Sequence, residues 1–254
     1  VGLGYLVLSL FPGIDLFGEA YHREGFCVVR GPELFLGQDV REWQAIPSRF
    51  DVVIGGPPCK TFSHMRLGKE AKHENLIPEF CRVVGEARPL VFVMENIQYA
   101  PVPMVPGYQT VSYVLDSHKY GANQIRKRRF TFGWQSDGLD GCPFVPEKCV
   151  PRETRKTDPF PTVLACEGHY PATFTAGTKI GRMLTITEVA ELQGVPELAE
   201  KYVLSRGKRA PFRLEFAYEL LGNAVEMTVG RVVARMTLRG LESLAGSTSD
   251  KPPA

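Results

Sequence analysis

The chain has 254 residues, 44% of them hydrophobic and 23% charged, a balance that excludes a disordered or fibrous chain and leaves room for a full core. A formal net charge of +2 is too small to require a nucleic-acid partner, and six scattered cysteines exclude a dense disulfide framework. The cysteine pattern suits a reducing compartment, so a cytoplasmic location is expected.

The first predicted element is a buried strand over Leu6 to Leu10, inside an apolar opening that lacks the basic leader and cleavage site of a signal peptide. Nothing in the chain approaches the roughly 18 consecutive apolar residues of a membrane span, so no membrane partner is expected. The turn Phe11-Pro12-Gly13-Ile14-Asp15 follows, then a helix over Leu16 to Glu24 with Gly25 as its stop. Further strands are predicted at Phe26 to Arg30, Asp51 to Ile54 and Leu90 to Met94, the last preceded by a helix through Ile77 to Glu86. This alternation implies an α/β fold with a mostly parallel sheet, whose ligands bind at the carboxyl ends of the strands. From Gly133 to Gly181 prolines and glycines replace any helical period, which predicts a small loop-rich region. Helical signals resume with the capping box Thr185-Ile186-Thr187-Glu188 and again from Pro211 through Met236, and the last residues, 247–254, read as a disordered tail.

The strongest chemical signal is Gly55-Gly56-Pro57-Pro58-Cys59-Lys60-Thr61-Phe62-Ser63, set directly after a strand. Glycines there permit close backbone approach to a ligand, and the two prolines stiffen a loop that displays the thiol. Five further blocks accompany it. They are Phe11-Pro12-Gly13, Glu95-Asn96-Ile97, Gln124-Ile125-Arg126-Lys127-Arg128, Leu184-Thr185 leading to Leu192-Gln193-Gly194-Val195-Pro196, and Gly222-Asn223-Ala224-Val225.

In this order the blocks resemble those of the cytosine-5 DNA methyltransferases of bacterial or phage type. The resemblance implies a Rossmann-like S-adenosylmethionine-dependent methyltransferase fold with a small target-recognition region. It assigns 1–132 to the first part of the catalytic domain, 133–204 to target recognition and 205–246 to a helical segment returning to the catalytic domain. The implied partner is double-stranded DNA, and a monomer is expected.

The chemistry of these residues agrees with that resemblance. Carbon 5 of cytosine is a poor nucleophile, and a thiolate adding to carbon 6 makes the ring an enamine that can take a methyl group. Cys59 is the candidate nucleophile, and Glu95 would protonate or hydrogen-bond ring nitrogen 3. If residues 124–128 are extended, Gln124, Arg126 and Arg128 share one face. The resemblance makes Arg126 and Arg128 positioners of Glu95 and the base, and it sends Lys127 and Arg129 to DNA phosphates. Ser63, Asn96 and Gln124 complete the substrate contacts it implies.

For the donor, S-adenosylmethionine, the resemblance implies Phe11, Gly13, Ile14, Asp15 and Leu16 around the methionine part and Glu33 at the ribose. Asp39 and Val40 are expected at the adenine, with Pro58, Asn223, Ala224 and Val225 nearby. Asp15 departs from the glycine usual in the family, Asn123 from a proline before Gln124, and Glu226 from a proline after Val225. Arg152, Arg155, Lys156, Lys179 and Arg182 are candidates for reading bases or phosphates. Cys142, Cys149, Cys166 and His169 match no paired zinc-ligand spacing, so no metal is expected. An RNA-methylating relative and a non-catalytic DNA-binding relative remain alternatives. The first usually carries a Cys-Phe-Thr element that this chain lacks, and the second typically loses the cysteine or the glutamate. A nicotinamide-dependent dehydrogenase would need a Gly-x-Gly-x-x-Gly turn after the first strand, which Phe11 to Leu16 does not supply.

Overall fold

The computed structural model describes residues 4–58, 74–135, 141–155, 157–165, 182–199 and 214–249. Its first half alternates as the sequence predicts: β1 (Leu6–Leu10), α1 (Leu16–Arg23), β2 (Cys27–Arg30), β3 (Val52–Gly55), α2 (Ile77–Ala87) and β4 (Val91–Asn96). Strands β1, β3 and β4 are buried along nearly their whole length, which is why each reads as a continuous apolar run. β2 is largely exposed. Helix α1 stops where Gly25 takes a φ of 92°, and α2 has a proline in its first turn and buries Ile77, Phe80, Val83, Val84 and Ala87. That face of α2 meets the sheet, with Phe80 edge-on to Phe92 at 5.9 Å.

Two strands escaped the sequence reading. β5 (Tyr108–Asp116) and β6 (Lys127–Gln135) complete a six-stranded sheet in the order β2-β1-β3-β4-β6-β5. The β1–β2, β1–β3 and β3–β4 pairs are parallel, while β6 runs antiparallel to β4 from Asn96↔Arg129 to Val91↔Trp134. Among the described residues three further helices follow: α3 (Ile186–Leu192), α4 (Leu214–Asn223) and α5 (Met227–Ser249). The capping box predicted at Thr185 and Glu188 is present, and α3 packs on α4. The helical stretch expected from Pro211 to Met236 is broken by a turn between α4 and α5, and α5 runs to Ser249, into the stretch expected as a tail.

The chain divides into two compact units. The first comprises Val1–Val114, Arg128–Lys148 and Arg231–Ala254, and the second Leu115–Lys127 and Cys149–Gly230. The expected boundary at residue 133 falls inside β6, where strand pairing with β4 continues regardless of the glycine that begins the loop-rich stretch. Gly133 lies against Phe92, and a β-carbon there would sit 2.1 Å from the ring. We therefore expect Gly133→Ala to lower stability by about 1 to 3 kcal/mol, the cost of overpacking a filled core, measured by urea unfolding. Among the described residues no helix is long and apolar enough to cross a membrane.

Candidate active site

The parallel strands β1, β3 and β4 end on one edge of the sheet, and β1 is flanked by β2 on one side and β3 on the other. A strand order that reverses in this way opens a crevice at the carboxyl ends. The four predicted segments that leave this edge are the β1 turn, the stretch after β2, the Gly56 loop and Glu95-Asn96.

The β1 turn is unusual in its backbone. Phe11, Gly13 and Asp15 have φ values of 53°, 55° and 61°, in the left-handed region that disfavours side chains. Gly13 has open space where a β-carbon would stand, and its N–H donates to Glu33 Oε2 at 2.7 Å. Asp15 is the N-cap of α1 and is buried: Oδ1 accepts from Ser9 Oγ at 2.7 Å and Gly18 N–H at 3.1 Å, and Oδ2 from Arg30 Nε at 3.0 Å. Burial pushes its carboxyl upward from the ordinary aspartate range, opposed by Ser9, Arg30 and Gly18. Of the other predicted donor residues, Ile14 is half-buried, whereas Leu16 and Val40 are core residues. Asp39 is held by Arg41 through side-chain and backbone hydrogen bonds, which lower its carboxyl to about 2. Arg41 also reaches Glu74 at 2.9 Å.

The glycines at the end of β3, Gly55 and Gly56, serve packing within the protein. A β-carbon on Gly55 would lie 3.0 Å from Phe80 and 3.1 Å from Leu10, and one on Gly56 would lie 3.1 Å from Glu95 Oε2. Pro57 is buried and Pro58 exposed. Cys59 and Ser63 lie outside the described residues.

Glu95, at the end of β4, is 8% exposed and forms an ion pair with Arg128 Nε at 3.2 Å. The register explains the pairing, because β4 and β6 align Glu95 with Phe130 and Asn96 with Arg129, bringing the start of β6 to the end of β4. Asn96, expected among the substrate contacts, is buried. Its Nδ2 donates to Pro57 O at 3.1 Å and its Oδ1 accepts from Ile97 N–H at 2.9 Å, so it anchors the loop that continues into Cys59. Arg129, expected at phosphates, ties β6 to the loop after β4 through the carbonyls of Gln98, Ala100 and Pro101. Lys127 is exposed.

Gln124 and Arg126 belong to the second unit, Arg128 to the first, and their side chains do different work. Gln124 is fully buried: Nε2 donates to Leu192 O at 2.5 Å and Gln193 Oε1 at 3.1 Å, and Oε1 accepts from Val163 N–H at 3.1 Å. Arg126 is 1% exposed and donates to the carbonyls of Val163 (2.8 Å), Gly222 (2.9 Å) and Ala224 (2.9 Å). These bonds and the one from Gln193 to Leu221 O hold the turn between α4 and α5, on which Asn223 is exposed, Ala224 half-buried and Val225 buried. Glu226, where the family has proline, caps α5 by accepting from Thr228 and Val229 N–H, and burial pushes its carboxyl upward. Sequence reasoning had not singled out Ser9, Arg30 or Arg41. No motif marks them, because each works by holding an acidic residue, Asp15 or Asp39, that the sequence assigns to the donor.

Of the residues expected to read bases or phosphates, Arg152 is exposed, Arg155 donates to Val150 O, and Arg182 pairs with Glu188 at 2.6 Å. Cys142 and Cys149 are exposed, while Lys156, Cys166, His169 and Lys179 lie outside the described residues. Among the described residues no group of three or more His, Cys, Asp or Glu side chains is arranged to hold a metal ion.

The family model of C-5 cytosine-specific DNA methylases matches residues 36–100, the stretch that contains Cys59 and Glu95. Over that stretch the chain is similar to these methylases. Among curated proteins, the type II methyltransferase M.AquIA of Picosynechococcus is 34% identical over 110 residues, covering 34% of this chain and 44% of that protein. M.AgeI of Thalassovita gelatinovora is 26% identical over 229 residues, covering 82% of this chain and 50% of the relative. The chain thus spans half or less of the length of these relatives. Solved structures share the fold: Spodoptera frugiperda DNMT2 (mutant E260A/E261A/K263A) at a TM-score of 0.63 and 13% identity, over 92% of this chain and 100% of that one. The Entamoeba histolytica methyltransferase EhMeth aligns at 0.62 and 11% identity, over 95% and 99%. The fold is therefore the Rossmann-like methyltransferase fold that the sequence predicts.

Proposed function

We propose that the protein transfers a methyl group from S-adenosylmethionine to carbon 5 of cytosine in double-stranded DNA. The observation that carries this reading is the Glu95 carboxyl. It is held by Arg128 at the end of β4, against the glycine of the loop that continues into Cys59.

The residues of the first unit fit the donor. Gly13 leaves open space beside the β1 turn, Glu33 supplies carboxylate oxygens that a ribose hydroxyl can meet, and Asp39 lies beyond it for the adenine. Asp15 places no exposed negative charge in the turn, because its carboxylate is buried and paired with Arg30. When bound, S-adenosylmethionine supplies an electrophilic methyl group on a sulfonium centre.

The target base is rotated out of the duplex at a cost of a few kcal/mol, repaid by contacts with the flipped base. The Cys59 thiolate adds to carbon 6, and its electron pair moves through the ring to nitrogen 3, where Glu95 delivers a proton. Arg128 holds the Glu95 carboxyl in place and stabilises it as the anion it becomes. Carbon 5, now enamine-like, takes the methyl group. Loss of its proton to a base and departure of the Cys59 sulfur restore the 5,6 double bond, and the proton on nitrogen 3 returns to the Glu95 carboxylate. A free thiol with a pKa of about 8.5 is only a few per cent ionised at neutral pH, so proton delivery at nitrogen 3 matters for the addition. Sequence reading is assigned to the second unit.

The test is base-resolution sequencing of 5-methylcytosine in unmethylated plasmid DNA treated with protein and S-adenosylmethionine, beside Cys59→Ala. Methylation should recur at one short sequence and vanish in the variant. A folded, donor-binding protein that leaves the plasmid unmethylated would refute the DNA reading and direct the assay to RNA.

A further inference from the structure

We propose that Arg30 is a positioning residue for the donor, holding the β1 turn in its binding shape through the buried carboxylate of Asp15. This inference rests on the donor reading above.

The turn needs holding. Phe11 and Asp15 are both non-glycine residues with positive φ, 53° and 61°, conformations that persist only where surrounding contacts over-determine them. The contacts at Asp15 come from three elements. Ser9 Oγ donates from β1, Gly18 N–H from α1 and Arg30 Nε from the end of β2. Gly18 belongs to the same arrangement, since a β-carbon there would lie 2.4 Å from Asp15 Oδ1. The carboxylate thus occupies the space that a side chain on α1 would otherwise fill. On the other side of the turn, Glu33 Oε2 accepts the Gly13 N–H at 2.7 Å.

The family's glycine at position 15 can adopt positive φ without a side chain to stabilise. This chain instead places a carboxylate there whose side chain is only 4% exposed, and an unpaired buried anion is expensive. Arg30 supplies the compensating cation from a side chain that is itself 62% exposed. Its removal should therefore be felt in the geometry of the turn more than in global stability. Without the cation, the carboxylate relaxes toward water or takes up a proton. Either response loosens the αL backbone at Asp15 and the amides on both sides of it.

The experiment compares wild type with Arg30→Met, Arg30→Lys and the double variant Arg30→Met/Asp15→Asn. Two readouts are used: calorimetric affinity for S-adenosylhomocysteine, and amide hydrogen exchange of residues 13–18 in the free protein. Arg30→Met should weaken binding by about threefold to tenfold, the scale of one partly exposed charge-assisted hydrogen bond, and accelerate exchange across the turn. Arg30→Lys should restore most of both. The double variant should also recover, because a neutral amide needs no cation, giving a non-additive cycle. In turnover assays the loss should appear in KM for the donor, with kcat at saturating donor retained. Unchanged affinity and exchange in Arg30→Met, or a double variant with additive losses, overturns the proposal. Failure of the wild type to bind S-adenosylhomocysteine would instead remove the donor reading, and the donor half of this inference with it. The exchange comparison would still decide whether Arg30 holds the turn.

Discussion

Glu95→Gln should lower the rate of cytosine methylation by about two to four orders of magnitude, the usual range for losing a positioned general acid, while leaving donor affinity close to that of the wild type. Glutamine keeps the size and hydrogen-bonding reach of glutamate but cannot deliver a proton to nitrogen 3. It also removes the anion that Arg128 faces at 3.2 Å. The side chains of this pair are 11% and 17% exposed, so solvent screens their attraction only in part. Single-turnover transfer of a labelled methyl group to DNA, with S-adenosylhomocysteine affinity measured in parallel, separates chemistry from binding. An Arg128→Met variant sharpens the test. If Arg128 acts by holding Glu95, the double variant should be little slower than Glu95→Gln alone, because the two losses share one cause. A Glu95→Gln protein within about threefold of the wild-type rate would remove Glu95 from the chemistry, since general acid catalysis normally contributes far more than that.

The parallel half of the fold was legible because its strands are buried on both faces and so write themselves as Leu6 to Leu10, Asp51 to Ile54 and Leu90 to Met94. β5 carries no such signature: it lies at the sheet edge, mostly exposed, and its residues QTVSY are those of a half-wet strand. β6 was hidden in another way. Its first residues form a basic run that reads as chemistry, and only its later part, from Phe130 to Trp134, is buried. At the candidate site the residue types were readable from the motifs, but the direction of the side chains was not. Asn96 and Arg129 look like substrate contacts in a linear sequence, and it takes the β4–β6 register to show that they bond to the loops on either side of the strands. Asp15 looked like a charge aimed at the donor. Its positive φ and its place as the N-cap of α1 turn the carboxylate inward instead.

The same distinction between a side chain's type and its direction makes Arg126→Met the most severe substitution expected in the second unit. As one of a series of alternating basic residues, Arg126 invites a role at the base, and such a role would give a stable protein with slow turnover. Its guanidinium instead donates to three carbonyls, of Val163, Gly222 and Ala224, while the residue is 1% exposed. Two of these acceptors lie at the carboxyl end of α4, where helix carbonyls have no partner of their own and a cation is favourable. Gly222 is itself closely packed, since a β-carbon there would lie 2.4 Å from Ala165 N. Each acceptor left buried and unbonded costs about 1 to 3 kcal/mol. The two fully buried ones, of Val163 and Gly222, already amount to a large share of the stability of a typical domain, about 5 to 15 kcal/mol. Thermal unfolding should therefore begin in the second unit, with exchange protection lost first in α3 and α4. Arg126→Lys should recover only part of the loss, because an ammonium on one flexible stem cannot reproduce the planar fork that spans three carbonyls. Methylation by either variant should then track the folded fraction as temperature is lowered, whereas a residue that touched the base would leave turnover slow at every temperature in a fully folded protein.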